Sequence, residues 1–236
     1  MMWKLIKLEW KKNNIGKYIR NAVILAAILC LFIFSLAYLG IANDPDTGIP
    51  DAAPNNGTIS SPIELFTSMS FLIFTSVMLS TFIVSAYKNK TMNLMFSYPI
   101  KRQKILISEM LAVWIFNFAA LVLTKLLIYG CVLLGSRFFV SSFPIDFHME
   151  SVSFHIQLVI KSMVTVTIGF IALFIGMVMK SSKATILSSF LLILFTQANI
   201  GDLTMAGNAV FPIVLTGISL VFAFLSICRV EIDDLM

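Results

Sequence analysis

Charged residues are scarce in this sequence. Of its 236 residues only 12% are Asp, Glu, Lys or Arg, whereas 58% are hydrophobic. A soluble domain carries roughly a quarter of its residues as charges, because its surface must be hydrated. The mean hydropathy of +0.93 is also far too high for such a surface. The composition therefore excludes a soluble globular domain, a disordered chain and a coiled coil, and it predicts an integral membrane protein.

The sequence also lacks the motifs of common catalytic and nucleotide-binding sites. Its three cysteines form no C-x-x-C pair and lie in apolar runs, where cysteine usually serves as a small hydrophobic residue. No G-x-x-x-x-G-K-[ST] loop, H-E-x-x-H or G-x-S-x-G occurs. We therefore expect no catalytic residue, no enzymatic activity and no ATP site on this chain.

One cluster of acidic residues and histidines has the residue types of a metal site. Its members are Asp146, His148, Glu150 and His155. Their alternating spacing matches no known ligand geometry. We interpret the cluster as a solvated loop and expect no metal ion.

Six apolar stretches are long enough to be membrane spans, since a helix needs about 20 mostly apolar residues to cross the hydrocarbon core. They comprise residues 21–43, 65–87, 105–135, 158–179, 184–200 and 211–228. The chain is thus expected to be a single all-α transmembrane domain over residues 1–236. Lys125 lies inside the third stretch, and we place it near the outer interface, where its side chain can reach water beside Tyr129. On this placement Lys125→Gln is expected to be tolerated.

The loops between these stretches alternate in charge. Lysine and arginine accumulate before the first stretch, between the second and third, and between the fourth and fifth, whereas the other loops are acidic or nearly neutral. Basic residues in short loops stay on the cytoplasmic side of a membrane. Both termini are therefore predicted to be cytoplasmic. The basic pI of about 9.2 then reflects these loops and gives no reason to expect a nucleic-acid partner.

Residues 1–20 combine basic and aromatic side chains. On a helix, Trp3, Ile6 and Trp10 form one stripe, and lysines lie on the adjacent face. This pattern is typical of a helix that lies in the lipid headgroup region. A basic leader that only fixes topology would explain the lysines, but it would not explain two tryptophans seven positions apart.

The basic loop after the second stretch carries an apolar patch. Read as a short helix, it brings Met92, Met95 and Phe96 together, and the Tyr98-Pro99 step ends the helix. Such a patch either lies on the lipid surface or docks into a groove of a partner protein. The residues by themselves favour neither alternative.

At this loop the sequence resembles the membrane subunits of type-2 ABC exporters, which are small six-span bacterial permeases that work with a separate ATPase. The resemblance is carried by the stretch 87–106, which includes YKNKT and FSYPIKRQKIL, and more weakly by LIKLEWKK at residues 5–12. Two positions depart from the family. Ala86 stands where an acidic residue is frequent, and Glu109 stands where a lysine is frequent.

The resemblance implies an interfacial elbow helix at the N-terminus and a coupling helix that sits in a cleft of the ATPase. The residues expected to contact the ATPase are Lys88, Lys90, Thr91, Met92, Leu94, Met95, Phe96, Tyr98 and Pro99. The resemblance also implies short re-entrant helices between the fifth and sixth spans. The polar residues Gln197, Asn199, Asp202 and Asn208 fit that expectation, although a plain outer loop fits them equally well.

The function expected from this resemblance is export through a bacterial cytoplasmic membrane. Implied partners are ABC ATPase subunits, which carry the ATP and Mg, a second copy or a related permease, and the lipid bilayer. A membrane-active or other amphipathic peptide suits the apolar spans best, because an ion path needs polar groups along its length. The alternatives are a permease for sodium or drugs, and a scaffold or sensor subunit that transports nothing.

Overall fold

The structure, a computed structural model, describes residues 2–38, 59–85, 102–138, 149, 151–197 and 210–232. Regular structure in these ranges is helical throughout, which confirms the predicted all-α class. In chain order the helices are α1 (Met2–Lys12), α2 (Ile15–Tyr38), α3 (Ser60–Leu79), α4 (Arg102–Phe138), α5 (Val152–Val178), α6 (Ser182–Gln197) and α7 (Val210–Ile232). A π-helical segment, Ser80–Val84, continues α3.

Four of the described helices are long and apolar enough to cross a membrane. Their apolar segments are Ile15–Ala37, Ser60–Val84, Gln103–Ser136 and Val152–Val178. The remaining apolar segments, Ser182–Thr196 and Pro212–Cys228, are shorter. At about 1.5 Å per residue the 16-residue α6 is roughly 24 Å long, less than the hydrocarbon core of about 30 Å. The described helices thus fit a multi-pass membrane protein, and four of them are long and apolar enough to cross the membrane by themselves.

The N-terminal helix is shorter than the predicted segment of residues 1–20. It ends at Lys12, and Asn14 adopts a left-handed backbone with φ of 49°. Asparagine enters this conformation more readily than most residues, so the Asn13-Asn14 step interrupts the helix at low cost. The next helix begins at Ile15 and runs directly into the first apolar stretch. Residues 15–20 therefore belong to the first span.

A tight turn joins α5 to α6. Lys180 is left-handed at φ 47°, the Ser181 N–H donates to the Gly176 carbonyl at 3.2 Å, and the Lys180 N–H donates to Met177 at 3.2 Å. These two bonds form a Schellman motif, which provides hydrogen-bond donors for backbone carbonyls that have no partner within the last turn of a helix. A Cβ on Gly176 would collide with the Thr185 hydroxyl of α6. Glycine at this position therefore allows the two helices to approach closely.

The chain divides into two compact units. The first comprises Met1–Ile15, Met69–Ala119 and Lys161–Met236, and the second comprises Gly16–Ser68 and Ala120–Ile160. In the first unit α3, α5 and α6 supply a buried apolar cluster of Leu72, Val164, Ile168, Ile171, Ala172, Leu192 and Ile193. The π segment belongs to this unit, and the Ser80 hydroxyl donates to the Ser182 carbonyl at the start of α6, at 3.3 Å.

The second unit has an aromatic and aliphatic interior. The rings of Phe32 and Phe66 meet edge to face with centroids 4.9 Å apart, as do those of Tyr129 and Phe154. The unit also buries aliphatic side chains, including Ile33, Ile59, Ile63, Leu121, Ile128 and Val132. Helix packing in this unit therefore relies on shape complementarity, as expected where lipid replaces water.

Many buried serine and threonine hydroxyls are bonded within their own helices. In α3, for example, Thr75 donates to the Phe71 carbonyl at 2.7 Å and Ser76 donates to Leu72 at 3.0 Å. Such a bond satisfies the hydroxyl proton without a partner on another helix. Polar residues can therefore occur in these apolar helices without forming a continuous polar path.

Candidate functional site

The contact between α1 and α4 is built around one lysine and two carboxylates. The Lys12 ammonium donates to Glu9 Oε2 and to Glu109 Oε1, each at 3.2 Å. The Glu9 and Glu109 residues are only 7% and 0% exposed, whereas the Lys12 side chain remains 42% exposed. We call Glu9, Lys12 and Glu109 the N-terminal ion cluster. It lies entirely within the first unit.

A tryptophan strengthens the same contact. Trp10 Nε1–H donates to the Ala112 carbonyl of α4 at 3.1 Å, and Ile6 is buried beside it on the helix. Trp3 packs edge to face on Trp10, with centroids 6.2 Å apart, but is itself 62% exposed. The predicted stripe of Trp3, Ile6 and Trp10 therefore has two environments. Ile6 and Trp10 face the protein, whereas Trp3 is largely exposed.

The N-terminal ion cluster contains two carboxyl groups and one ammonium. One oxygen of the buried Glu109 carboxyl group, Oε2, has no hydrogen-bond partner within the described residues. Burial lowers the pKa of Lys12, but the carboxylates of Glu109 and Glu9 outweigh it and raise this pKa above its ordinary value. A raised folded-state pKa means that the pairing stabilises the fold below the ordinary lysine pKa. That contribution is lost only when the pH rises through the raised value.

A second ion pair lies in the second unit. Lys125 Nζ donates to Glu64 Oε2 at 2.7 Å, with the lysine side chain 0% exposed and the glutamate side chain 21% exposed. The prediction that Lys125 reaches water at the outer interface is therefore wrong. Its ammonium is paired inside the protein, because Glu64, which the sequence had placed in the preceding loop, is part of α3. The prediction that Lys125→Gln is tolerated assumed a lysine that reaches water, and this assumption does not hold for the buried, paired side chain.

Polar groups also meet in the middle of α4. Asn117 is fully buried, and its amide donates to the Val113 carbonyl at 2.9 Å and to the Met78 sulfur at 3.3 Å. One turn earlier, Trp114 Nε1–H donates to the Thr167 hydroxyl of α5 at 3.3 Å. These contacts join specific residues of α4 to specific residues of α3 and α5. They therefore fix the relative register of the three helices along their axes in the first unit.

All nine residues predicted to contact the ATPase lie outside the described part of the chain. These are Lys88, Lys90, Thr91, Met92, Leu94, Met95, Phe96, Tyr98 and Pro99, and the same holds for Asp146, His148, Glu150, Asn199, Asp202 and Asn208. Of the metal-like cluster only His155 is described, and it lies against Ser151 and Phe154 on α5. Among the described residues no group of three or more potential metal ligands occurs.

Sequence reasoning missed Glu9, Lys12, Glu64 and Glu109 as a set of paired charges. The positions of two of these residues in the sequence could have indicated the pairing. Glu109 falls inside the predicted third span, and Glu64 falls one residue before the predicted second span. An ionisable residue within a span is expensive unless it is paired, so each such residue predicts a partner. The identity of the partner depends on which helices are neighbours, and this cannot be inferred from the sequence around the charged residue.

The chain is similar to one protein over nearly the full length of both. It is 25% identical over 235 residues to "Uncharacterized protein YcbO" of Bacillus subtilis (strain 168), a match that covers 98% of this chain and 99% of that protein. No family model matches the chain, and no solved structure matches it.

Proposed function

We propose that this chain is the permease subunit of an ATP-driven ABC exporter. The observation that carries the proposal is the attachment of α1 to the first turns of α4, through Lys12 with Glu109 and through Trp10 with Ala112. A separate amphipathic helix, held beside the helix that follows the basic loop, is the arrangement expected of an elbow helix next to a coupling segment.

The position of α4 explains how force could reach the membrane. This helix begins at Arg102, three positions after Pro99, the last residue of the proposed ATPase contact. It comprises 37 residues, roughly 55 Å at about 1.5 Å per residue, with no Pro in its interior to bend it. A displacement of the loop would therefore be transmitted to the start of α4, which lies in the first unit. Because α1 is bonded to Glu109 and Ala112, it would move with the start of this helix.

The proposed mechanism is alternating access. ATP and Mg bind the partner ATPases, and closure of those subunits pushes the coupling segments and changes the angles of the spans. This chain contributes the moving helices and the path, either with a second copy or with a related permease. We place both termini in the cytoplasm of a bacterial cell, with α1 at the inner surface of the membrane.

An amphipathic, membrane-active peptide is the proposed substrate. The described helices expose large apolar side chains and carry few charges, and the charges of Lys12 and Lys125 are paired with carboxylates. Several buried hydroxyls donate within their own helices. A dehydrated ion would need successive polar partners, whereas an apolar wall rich in Phe and Met adapts to irregular apolar surfaces.

The coupling role is tested by removing the apolar patch from the basic loop. Phe96→Ala, or Met92→Asp combined with Met95→Asp, is expected to uncouple transport and weaken co-purification of the partner ATPase while membrane insertion stays intact, because loss of a central interface side chain commonly costs about 2 kcal/mol or more. Phe195→Ala, which truncates a 64% exposed phenylalanine on α6, is the matched control and should leave the complex intact. Normal complex yield and normal transport in the loop variants would instead assign the patch to the lipid surface.

The substrate class is tested in cells that express this chain with its ATPase. The expected result is greater tolerance of bacitracin or a lantibiotic than in cells with an ATPase variant that cannot hydrolyse ATP. Protection against a sodium challenge, without protection against these peptides, would contradict the proposed peptide substrate. It would still be consistent with the proposed function of an exporter. A stable complex that gives no ATP-dependent protection and no ATPase activity would indicate a scaffold or sensor subunit.

A further inference from the structure

The surface of α1 that faces away from α4 carries charge of one sign. The helix contains a single acidic residue, Glu9, which is 7% exposed and accepts a hydrogen bond from Lys12. Its other lysines, Lys4, Lys7 and Lys11, are exposed. We call these three residues the lysine stripe. The tertiary structure therefore removes the one carboxylate of α1 from its surface and leaves three ammonium groups there.

The members of the lysine stripe lie on one face of the helix. At about 100° per residue, positions that are three or seven apart differ in direction by about 60° or less. The buried residues Ile6 and Glu9 lie on the opposite side of α1, against the protein. The spacing and the burial thus agree, and the lysine stripe points away from the packed surface of α1.

Two large apolar side chains border the lysine stripe. Trp3 is 62% exposed and Leu8 is 60% exposed, and the helical spacing places them on its two sides. The sequence had grouped Trp3 with Ile6 and Trp10, but the structure turns Ile6 and Trp10 towards the protein. The face of α1 that remains for lipid is therefore cationic in its middle and apolar at its edges.

The attachment of α1 places this face near one end of a membrane-spanning helix. Trp10 is bonded to Ala112, and Lys12 is bonded to Glu109. Both acceptors lie within the first three turns of the apolar segment Gln103–Ser136. An amphipathic helix held at this level lies at the boundary between headgroups and acyl chains. There the lysine stems lie along apolar surface while their ammonium groups reach the headgroups.

We propose that the lysine stripe binds the anionic headgroups of phospholipids, with Trp3 and Leu8 inserted beside it at the edge of the acyl chains. A phosphatidylglycerol headgroup carries a net negative charge that complements the ammonium groups, whereas a phosphatidylcholine headgroup carries no net charge. Near an anionic surface each lysine strengthens binding by about fivefold. An acidic protein surface would satisfy the ammonium groups but would leave the two exposed apolar side chains without apolar contacts. The two kinds of side chain together therefore favour lipid.

Binding of anionic lipid makes the stability of α1 depend on lipid charge, which a helix that merely lies in the headgroup region does not require. It needs neither an ATPase nor transport. A negative result for lipid charge would therefore leave the proposed exporter untouched, and failure of the exporter proposal would leave the lipid site untouched.

The experiment compares hydrogen exchange of the α1 amides in two bilayers at low salt. The purified full-length protein is placed in nanodiscs of phosphatidylcholine alone, or of equal parts phosphatidylcholine and phosphatidylglycerol. In the mixed bilayer the α1 amides should exchange at least about tenfold more slowly, because the headgroups must release the helix before it unfolds and each lysine contributes about fivefold. Amides in the middle of α5 should exchange alike in both bilayers. Equal exchange of the α1 amides in the two bilayers would overturn the proposal.

Variants separate the effect of charge from that of insertion. Lys4→Gln, Lys7→Gln and Lys11→Gln combined should remove the difference between the two bilayers, whereas Lys4→Arg, Lys7→Arg and Lys11→Arg combined should keep it. In an uncharged detergent or in phosphatidylcholine alone, the Gln variant should exchange like the unchanged protein. Leu8→Ala should speed exchange in both bilayers and keep the ratio between them.

Two further outcomes would contradict binding of anionic lipid by the lysine stripe. A Gln variant that still responds to phosphatidylglycerol would assign the response to other basic residues of the chain. Slow exchange that appears only when the partner ATPase is added, in either bilayer, would assign the lysine stripe to an acidic protein surface.

Discussion

Lys12 and Lys125, two lysines that are paired with carboxylates, differ in their surroundings. Lys12 is partly exposed and serves two carboxylates, one of which has an oxygen without a partner in the described structure. Lys125 is fully buried and bonded to Glu64 at 2.7 Å. The first arrangement shares one partly exposed ammonium between two buried carboxyl groups, while the second pairs one buried ammonium with one mostly buried carboxylate.

This difference indicates different roles. An ion pair with a fully buried lysine and a mostly buried glutamate is costly to break, because either partner alone would be left as an unpaired and largely buried charge. A partly exposed cluster is screened by salt and can redistribute its bonds between two acceptors. We therefore interpret Lys125 with Glu64 as a fixed connection between α3 and α4, and the N-terminal ion cluster as an adjustable attachment of α1.

The largest effect is expected from breaking the enclosed pair. Lys125→Met leaves Glu64 without its ammonium and should reduce the free energy of unfolding by about 3 kcal/mol or more. Adding Glu64→Leu should recover most of the loss, because no unpaired charge remains. Thermal unfolding of the detergent-solubilised protein measures both, with the exposed Lys7→Met as the control. A double variant no more stable than Lys125→Met would show that lost packing, and not lost pairing, is responsible.

A smaller effect is expected in the N-terminal ion cluster, where the loss of the lysine should cost more stability than the loss of one carboxylate. Lys12→Met leaves two nearby carboxylates and should lower the stability of the α1 attachment by about 2 kcal/mol, a value reduced for the exposure of the lysine. Glu9→Gln should cost about 0.5 kcal/mol, since Glu109 still holds Lys12. Hydrogen exchange of the α1 amides reports the attachment, with Lys11→Met as the control. If Lys12→Met and Glu9→Gln lowered the stability of the α1 attachment equally, the interpretation that two carboxylates share one lysine would be wrong.

The smallest effect is expected from salt. Raising NaCl from about 0.05 M to about 1 M shortens the screening length from over 10 Å to about 3 Å. Exchange of the α1 amides should become faster, by an amount equivalent to about 0.5 kcal/mol. Amides around Glu64 and Lys125 should change little, because the pair is enclosed. A larger salt response at Lys125 than at Lys12 would contradict the proposed difference between the two sites.

The sequence predicted the helical class and the approximate position of each long apolar helix. These properties follow from local composition, since any run of about 20 apolar residues favours a helix within a membrane. Its errors lie at the helix ends. Ile15 and Ser60 begin helices that extend beyond the apolar stretches predicted at 21–43 and 65–87, because polar residues continue a helix wherever their side chains are solvated or paired.

Composition and hydropathy thus determined by themselves that this chain is helical and suited to a membrane. Only the tertiary structure decided which charges meet, because Lys12 and Glu109 are 97 positions apart and Lys125 and Glu64 are 61 apart. Hydropathy is a property of each segment, whereas pairing depends on which helices are neighbours and on their register along the axis. That register follows from close approaches such as Phe34 against Gly135, which arise only when the whole chain packs.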